Sequence, residues 1–382
     1  MITIKRRSLA LMLAVALVFG AAAAAMGIRV LFSPEIQRMY DKYSKLEQLS
    51  KFVEANYYQE VASDDLLTGT YKGLFFGLDD MYSYYMTAEE YEALNESLSG
   101  EYQGIGITFT YNEQNNLVII STADGSPAKA AGLLSGDAIL MVDDIPYTAA
   151  EMNEAGAHMR GKPGTDVKLT ILREGETKEY VITRANILNP SVRSEMLDGG
   201  IAYVRVSKFD ANTAEEFQKE LHAIELRGAK GMVIDLRDNG GGLVEAGERI
   251  ADMLLPECVI VHMVDNAGVT RSAESGSHAT DMPYALLVNG GTASTSEILA
   301  AAVQDNGGGK IVGTRTFGKG VVQTVIPLND GSGDAVQLTT SQYLSPNGNV
   351  IHKKGVEPDF EVELVPGDDR DYQLEKAVEL LD

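Results

Sequence analysis

The sequence predicts an α/β protein with a smaller β-rich domain inserted ahead of its core and a helical region near its N-terminus. Three observations support this prediction. Apolar residues recur every three or four positions over residues 34–58, short β-type runs separated by turns fill residues 100–183, and strands alternate with helical segments from residue 200. The length of 382 residues favours two or three domains.

The elements are expected in the following order. Helices are predicted at 34–58, 66–78 and 89–98, where apolar residues have a helical period. Short strands are predicted at 105–110, 117–120, 138–142, 167–172 and 180–183. The α/β part is predicted to have strands at 201–206, 231–236, 284–288, 311–312, 321–326 and 335–340, and helices at 213–226, 244–255 and 296–303.

The N-terminal segment differs from the rest of the chain. Lys5, Arg6 and Arg7 precede an uncharged run over residues 8–28, which is long enough as a helix to cross a hydrocarbon core of about 30 Å. The positive flank predicts a cytoplasmic N-terminus and export of everything that follows. We favour an uncleaved single-pass anchor in the cell membrane. A cleaved signal peptide, with small-residue sites at 21–25, is the alternative and would yield a secreted protein.

Composition excludes several classes of protein and site. Hydrophobic residues make up 45% of the chain and charged residues 23%, which fits neither a disordered chain nor a multi-span membrane protein. The net charge of −23 disfavours nucleic acid as a partner. Cys258 is the single cysteine, so no internal disulfide is expected, and we predict neither a metal ion nor a cofactor. With only five histidines, the usual general base of hydrolases is scarce.

Two glycine-containing loops lie between a predicted strand and a predicted helix. In residues 235–243, three successive glycines allow backbone N–H groups to approach an oxyanion or phosphate at a helix N-terminus. In residues 289–297, the hydroxyl of Ser294 lies in the positive field of the next helix. The simpler interpretation is N-capping by Ser294 or Ser296, with Glu297 in the first turn.

A third loop, residues 316–323, places Lys319 between two glycines beside an apolar strand. Desolvation there would lower the pKa of its amine, so that the neutral form could act as a base, whereas a solvated loop lysine is the alternative. A serine–lysine pair needs no histidine, which fits the scarcity of that residue.

These loops belong to an ordered series of motifs. The series comprises Gly104-Ile105-Gly106, Gly125-Ser126-Pro127-Ala128, Gly136-Asp137, Arg160-Gly161, DLRDNGGG, TASTSEI, TFGKGVVQ and LSPNG followed by IHKKGVEPD. In this order and spacing the chain resembles the C-terminal processing peptidases, or tail-specific proteases, from about residue 57 to 364. The resemblance implies an α/β core of the crotonase/ClpP-like kind with an inserted PDZ domain.

The resemblance also implies the catalytic residues. Ser294 would be the nucleophile, Lys319 the general base and Gln323 the residue that orients the lysine amine. The backbone N–H groups of Gly241 and Thr295 would bind the oxyanion. The implied function is an extracytoplasmic serine endopeptidase that recognises protein or peptide substrates by their C-terminal tails.

Within the PDZ-like segment, the resemblance places the substrate carboxylate on a short loop while the peptide adds as a strand. That loop consists of Gly104, Ile105, Gly106 and Ile107. Arg160 is a hypothetical sensor that would report peptide occupancy to the protease part, and an ordinary surface arginine is the alternative.

The expected domains are a basic tail with anchor or signal at 1–29, a helical dimerisation region at 30–98, a PDZ domain at 99–185, a protease core at 186–364 to which 57–98 contributes, and a C-terminal helix or tail at 365–382. The family resemblance implies a homodimer.

The chain departs from the family's motifs at two places. One departure is Gly240, where the family's N-P-G-G motif has proline, so we expect a more flexible oxyanion loop. A second is Asp80-Met81-Tyr82-Ser83 in place of the family's D-P-H-S, a segment that we expect not to touch the chemistry.

Two other functions compete with proteolysis. A membrane-tethered PDZ scaffold without catalysis would use the same peptide groove, but the intact serine, lysine and glutamine argue against it. An acyl-CoA enzyme of the crotonase kind would share the core but would not explain the inserted domain.

Overall fold

A computed structural model describes residues 15–20, 34–277, 279–365 and 367–381. The chain divides into two compact units, one ending at Met81 and the other beginning at Tyr82. The predicted tail and anchor or signal at 1–29 lies largely outside the described residues, of which 15–20 are helical. Among the helices of the described ranges, none is both long and apolar enough to cross a membrane. The transmembrane segment therefore stays a prediction.

The first unit contains two helices, α1 (Pro34–Asn56) and α2 (Ser63–Phe76). Both agree closely with the predicted helices at 34–58 and 66–78. Neither helix has a buried residue, and apolar side chains such as Met39, Tyr43 and Leu49 are exposed. The helical period of the sequence therefore predicted these helices correctly, although their apolar stripe is not covered.

The second unit begins with β1 (Tyr84–Met86) and α3 (Ala88–Ser99), followed by a small β domain. Its strands are β2 (Glu101–Gly104), β3 (Ile107–Tyr111), β4 (Leu117–Thr122), β5 (Ala138–Val142), β6 (Ile145–Pro146), β7 (Asp166–Arg173), β8 (Glu176–Thr183) and β9 (Ala185–Leu188). Strands β3-β4-β5-β7-β8 form an antiparallel sheet in that order, with β6 beside β5, and β2 pairs with β9. All five predicted strands are present.

Two short helices in this domain, α4 (Pro127–Ala130) and α5 (Met152–Met159), were not predicted from the sequence. Helix α5 buries only Ala155 and Met159, so its periodic signal is weak. Helix α5 lines the same cavity as residues 104–107, the predicted peptide-binding loop.

The α/β core is a sheet with the order β10-β11-β12-β15-β16-β19, parallel except for β10. Its strands are β10 (Val192–Met196), β11 (Ile201–Val206), β12 (Gly231–Asp235), β15 (Tyr284–Val288), β16 (Lys310–Gly313) and β19 (Phe360–Glu361). Helices α6 (Thr213–Leu226), α7 (Val244–Leu254) and α8 (Thr295–Asp305) contribute to the core on one face, and α9 (Tyr372–Glu379) packs on the other. Because both faces are covered, every residue of β12 and β15 is buried.

A second sheet carries the lysine loop. It has the order β1-β18-β13-β14, with β17 also paired to β18, and consists beyond β1 of β13 (Val259–Asp265), β14 (Thr270–Glu274), β17 (Val321–Pro327) and β18 (Ala335–Leu344). The sequence pattern predicted β17 and the first part of β18. It did not predict β13 and β14, because neither is a clean alternation of buried and exposed residues.

Candidate active site

Ser294 occupies the sharp turn between β15 and α8. It is the N-cap residue of α8 and has φ 58° and ψ −119°, a conformation that L-residues rarely adopt. Its side chain is at the positive end of the helix and is only 8% exposed. Such strain costs about 1–3 kcal/mol and persists where the surroundings enforce it. Ser296, predicted as a possible cap, instead lies inside the first turn, and its hydroxyl donates to the Asn239 carbonyl at 2.9 Å.

The glycine loop lies directly against this turn. Gly241 has φ 96°, and a β-carbon added there would lie 2.8 Å from Ser294 Cβ and 2.9 Å from the Thr295 nitrogen. The structure therefore brings together both predicted oxyanion residues and the predicted nucleophile. The N–H of Gly241 donates to Oδ1 of the buried Asn239 at 2.9 Å. The loop is held in place as well, because Thr295 Oγ1 donates to the Gly242 carbonyl at 2.9 Å.

Glu297 joins the serine turn to the lysine loop, a role that the sequence pattern did not predict. Its carboxylate accepts the N–H of Ser294 at 2.9 Å and, across the site, the N–H groups of Gly318 at 2.7 Å and Lys319 at 2.8 Å. The Thr316 hydroxyl donates to the same carboxylate. Glu297 and Thr316 are both buried.

Two tyrosines contact Lys319. Its Nζ lies over the ring of Tyr82, 4.8 Å from the ring centre, so the expectation that residues 80–83 do not touch the chemistry is wrong for Tyr82. The hydroxyl of Tyr343 donates to the Lys319 carbonyl. Burial raises the pKa of Tyr343 well above its ordinary value, the Glu297 carboxylate adds to this effect, and a hydrogen bond with the Ser294 side chain opposes it. Tyr343 is therefore a neutral hydroxyl at the site, and it was not among the predicted residues.

Gln323, the predicted orienting residue, lies on β17 four residues after Lys319. Its amide nitrogen donates to Thr339 Oγ1 on β18 at 3.2 Å and, at 3.4 Å, to the Val321 carbonyl. The strand pairing thus fixes the Gln323 side chain on the sheet that carries the lysine loop.

The segment preceding the glycine loop is fixed by an ion-pair network in which Asp235 and Arg237 are buried and Asp371 is partly exposed. Arg237 Nη2 lies 2.7 Å from Asp235 Oδ2 and 2.8 Å from Asp371 Oδ2, and Asp371 also caps α9. Burial opposes the charged form of Asp235, but hydrogen bonds from Arg237 and Tyr203 outweigh it and hold the pKa of Asp235 below its ordinary value. The pKa of Asp371 is lowered in the same way, with burial opposing and Arg237 prevailing. The network links the C-terminal helix to the glycine loop.

The predicted peptide-binding loop lines a separate cavity of about 670 Å³ in the β domain. Gly104, Ile105, Gly106 and Ile107 all contribute to it, and so does Arg160, the residue that ends α5. Gly106 has φ 82°, and a β-carbon there would lie 2.3 Å from Ser126 Cβ. Only glycine fits this position, which keeps the loop close to the start of α4.

Comparisons with known proteins agree with this architecture. Residues 200–362 match the model of peptidase family S41, residues 103–183 match a PDZ domain, and residues 28–90 match the N-terminal domain of the activating protease CtpB. The carboxyl-terminal-processing protease of Synechocystis sp. is 41% identical over 294 residues, covering 75% of this chain and 68% of that protein. The carboxy-terminal processing protease CtpA of Bacillus subtilis is 36% identical over 327 residues, covering 85% and 69%.

Among solved structures, an S41 protease from Bacteroides fragilis aligns with a TM-score of 0.51 and 16% identity, over 85% of this chain and 91% of that chain. At this identity the likeness concerns the fold alone. It supports an S41-type α/β fold.

Proposed function

Since the chain belongs to peptidase family S41, the carboxyl-terminal processing serine proteases, and is a hydrolase, we propose that it cleaves proteins outside the cytoplasm through an acyl-enzyme on Ser294. The observation that carries the proposal is the shared carboxylate of Glu297, which binds the amides of both Ser294 and Lys319. That shared contact between the two backbones supports Ser294 as the nucleophile and Lys319 as the base.

The proposed chemistry has two halves. The neutral amine of Lys319 takes the proton of Ser294 as its oxygen attacks the scissile carbonyl, and the resulting ammonium gives that proton to the leaving amine as the C–N bond breaks to form the acyl-enzyme. The amine then takes a proton from the water that attacks the ester carbonyl, and returns it to the serine oxygen as the C–O bond breaks and the carboxylic acid product leaves. The oxyanion is bound by the N–H groups of Gly241 and Thr295. For this to occur, the Lys319 amine must come within hydrogen-bond reach of Ser294 Oγ, and the Gly241 N–H must exchange Asn239 Oδ1 for the oxyanion.

Three variants test the assignment. We expect Ser294→Ala, Lys319→Ala and Gln323→Ala to abolish or strongly reduce cleavage of an unfolded protein, measured with the full chain. A serine-reactive probe should label the wild type and not Ser294→Ala. Wild-type cleavage by Ser294→Ala would refute the assignment, whereas a lack of both cleavage and labelling in the wild type would favour the scaffold alternative.

We also propose that the β domain selects substrates by their C-terminal tails. The cavity beside Gly104–Ile107 contains Arg160, a cation suited to a nearby carboxylate, and the adjacent β3 edge can receive an added peptide strand. Arg160→Ala should reduce the ratio of tail-stimulated to unstimulated cleavage. An unchanged ratio would exclude Arg160 as a sensor.

The remaining proposals concern location and assembly. The basic flank and apolar run at 1–29 support a membrane anchor or signal, which fractionation of cells expressing the full chain and a chain lacking 1–29 would test. The exposed apolar stripe of α1 supports a homodimer, which sedimentation of the exported part would test. A monomer at micromolar concentration would contradict the second proposal.

A further inference from the structure

Glu297 carries a carboxyl group in the interior of the core. Its exposed fraction is 0%, and its two oxygens each accept two hydrogen bonds. Oε1 accepts from the Thr316 hydroxyl and the Gly318 amide, and Oε2 accepts from the Ser294 and Lys319 amides. A carboxylate has about four acceptor positions, so this one is fully satisfied.

A simpler explanation is an ordinary capping box, in which the third helical residue accepts the amide of the N-cap residue. The chain contains such a box at the start of α3, where Glu90 accepts the Thr87 amide at 3.0 Å. A capping box accounts for only one of the four donors to Glu297. The other three come from the lysine loop, 19 to 22 residues further along the chain.

We propose that Glu297 is a positioning residue for proteolysis, an inference that rests on the proposed roles of Ser294 and Lys319. Its Oε2 accepts the Ser294 amide of the strained turn, and the same oxygen atom accepts the amide of Lys319. A single buried carboxylate therefore fixes the backbone of the nucleophile relative to the backbone of the base, although the two residues lie in separate loops.

Thr316 completes the arrangement. Its hydroxyl donates to Glu297 and accepts the Val356 amide at 2.7 Å. Thr316 therefore links Glu297 to the 351–356 segment, which packs against the lysine loop. Lys353 of the same segment donates its amide to the Gly318 carbonyl at 2.7 Å. The lysine loop is thus bonded to the 351–356 segment at two points, and Glu297 connects it to the serine turn.

The test uses the full chain with Glu297→Gln. The amide side chain has the same shape, but its NH₂ group cannot accept hydrogen bonds. It would therefore face two donor groups whose hydrogen bonds the carboxylate oxygen accepted. We expect kcat to fall by about 30- to 300-fold with KM within about threefold of the wild type, because misplacing reacting groups by about 1 Å costs on the order of 100-fold. Labelling of Ser294 by a serine-reactive probe should slow in parallel.

Glu216→Gln is the matched control. Glu216 is a partly buried residue of α6 and accepts the amides of Ser191 and Val192 at 2.7 and 3.1 Å, remote in sequence from the catalytic loops. A merely structural role predicts that both variants lose kcat to the same extent. A kcat for Glu297→Gln within about threefold of that for Glu216→Gln would therefore overturn the proposal.

A second pair keeps the proposal testable should Glu297→Gln fail to fold. Thr316→Val removes the donor to Glu297 at nearly constant volume, and Thr316→Ser keeps the hydroxyl. We expect kcat to fall about 5- to 10-fold in the first and to stay near wild type in the second, and equal rates in the two would overturn the proposal. Ser294→Ala separates the positioning role of Glu297 from the proposed function. An active Ser294→Ala enzyme would refute the proposed function. An inactive Ser294→Ala together with a fully active Glu297→Gln would refute only the role of Glu297.

Discussion

Two adjacent glycines of the oxyanion loop should respond oppositely to alanine. At Gly241, φ is 96°, and an added β-carbon would lie 2.8 Å from the Ala293 carbonyl oxygen and from Ser294 Cβ. Carbon atoms do not approach these atoms so closely, and no rotation of a side chain can relieve the contact. At Gly240, an added β-carbon meets nothing within 4 Å, and φ lies outside the left-handed region.

The magnitude follows from these contacts. The left-handed conformation costs an alanine about 1–2 kcal/mol, and the overlap forces the loop away from the serine turn. Removing one oxyanion donor lowers kcat by about 100- to 1,000-fold. We therefore expect Gly241→Ala to lose at least about 100-fold in kcat and to be destabilised by about 1–3 kcal/mol. Gly240→Ala should stay within about twofold of the wild-type kcat, with equal or slightly higher stability.

The assay is steady-state cleavage of an unfolded protein, with urea unfolding of each variant to separate activity from stability. A Gly241→Ala enzyme with a kcat within about threefold of the wild type would refute the prediction, because an added β-carbon at residue 241 would then be accommodated without displacing the oxyanion loop. A Gly240→Ala enzyme as impaired as Gly241→Ala would refute it too. That outcome would mean that kcat depends on the flexibility of the loop at Gly240, the position of the family proline, and not on the close contact at Gly241.

Further predictions concern the ion-pair network and the tyrosine beside the lysine. Asp371→Asn removes the carboxylate that binds one side of Arg237, so urea unfolding near pH 7 should show that the free energy of unfolding falls by about 1–2 kcal/mol. The loss is modest because Asp371 is partly exposed. An unchanged midpoint of urea unfolding would contradict a stabilising role of this ion pair. Because the pKa of Asp371 is lowered in the folded state, its stabilisation is complete above the ordinary carboxyl pKa and disappears as the pH falls through the lowered value. The stability difference between wild type and Asp371→Asn should thus be constant from about pH 6 to 8 and narrow below about pH 4, and a difference that grows on acidification would have the wrong sign. Tyr343→Phe removes the hydroxyl that donates to the Lys319 carbonyl, and kcat should fall about 2- to 10-fold, with an unaltered rate counting against this contact.

Much of the fold could be predicted because its signals are local. The βα alternation gave β11, α6, β12, α7, β15 and α8 with bounds within about two residues, since a buried parallel strand is a continuous apolar run and a core helix has a period of 3.6. Helix α5 and strands β13 and β14 were missed, because their sequences carry few regularly spaced apolar residues. Their structure depends on neighbours that come from elsewhere in the chain.

The sequence by itself determined which residues carry the proposed chemistry. Ser294 and Lys319 lie in loops whose glycines and flanking strands are local features, and the order of the motifs indicated the family that the comparisons confirmed. Only the tertiary structure decided how these loops meet. Three contacts join segments that lie 19 to 134 residues apart: those of the Glu297 carboxylate, the Tyr343 hydroxyl and the Arg237–Asp371 pair. A hydrogen bond between such segments forms only once folding has brought its two partners together.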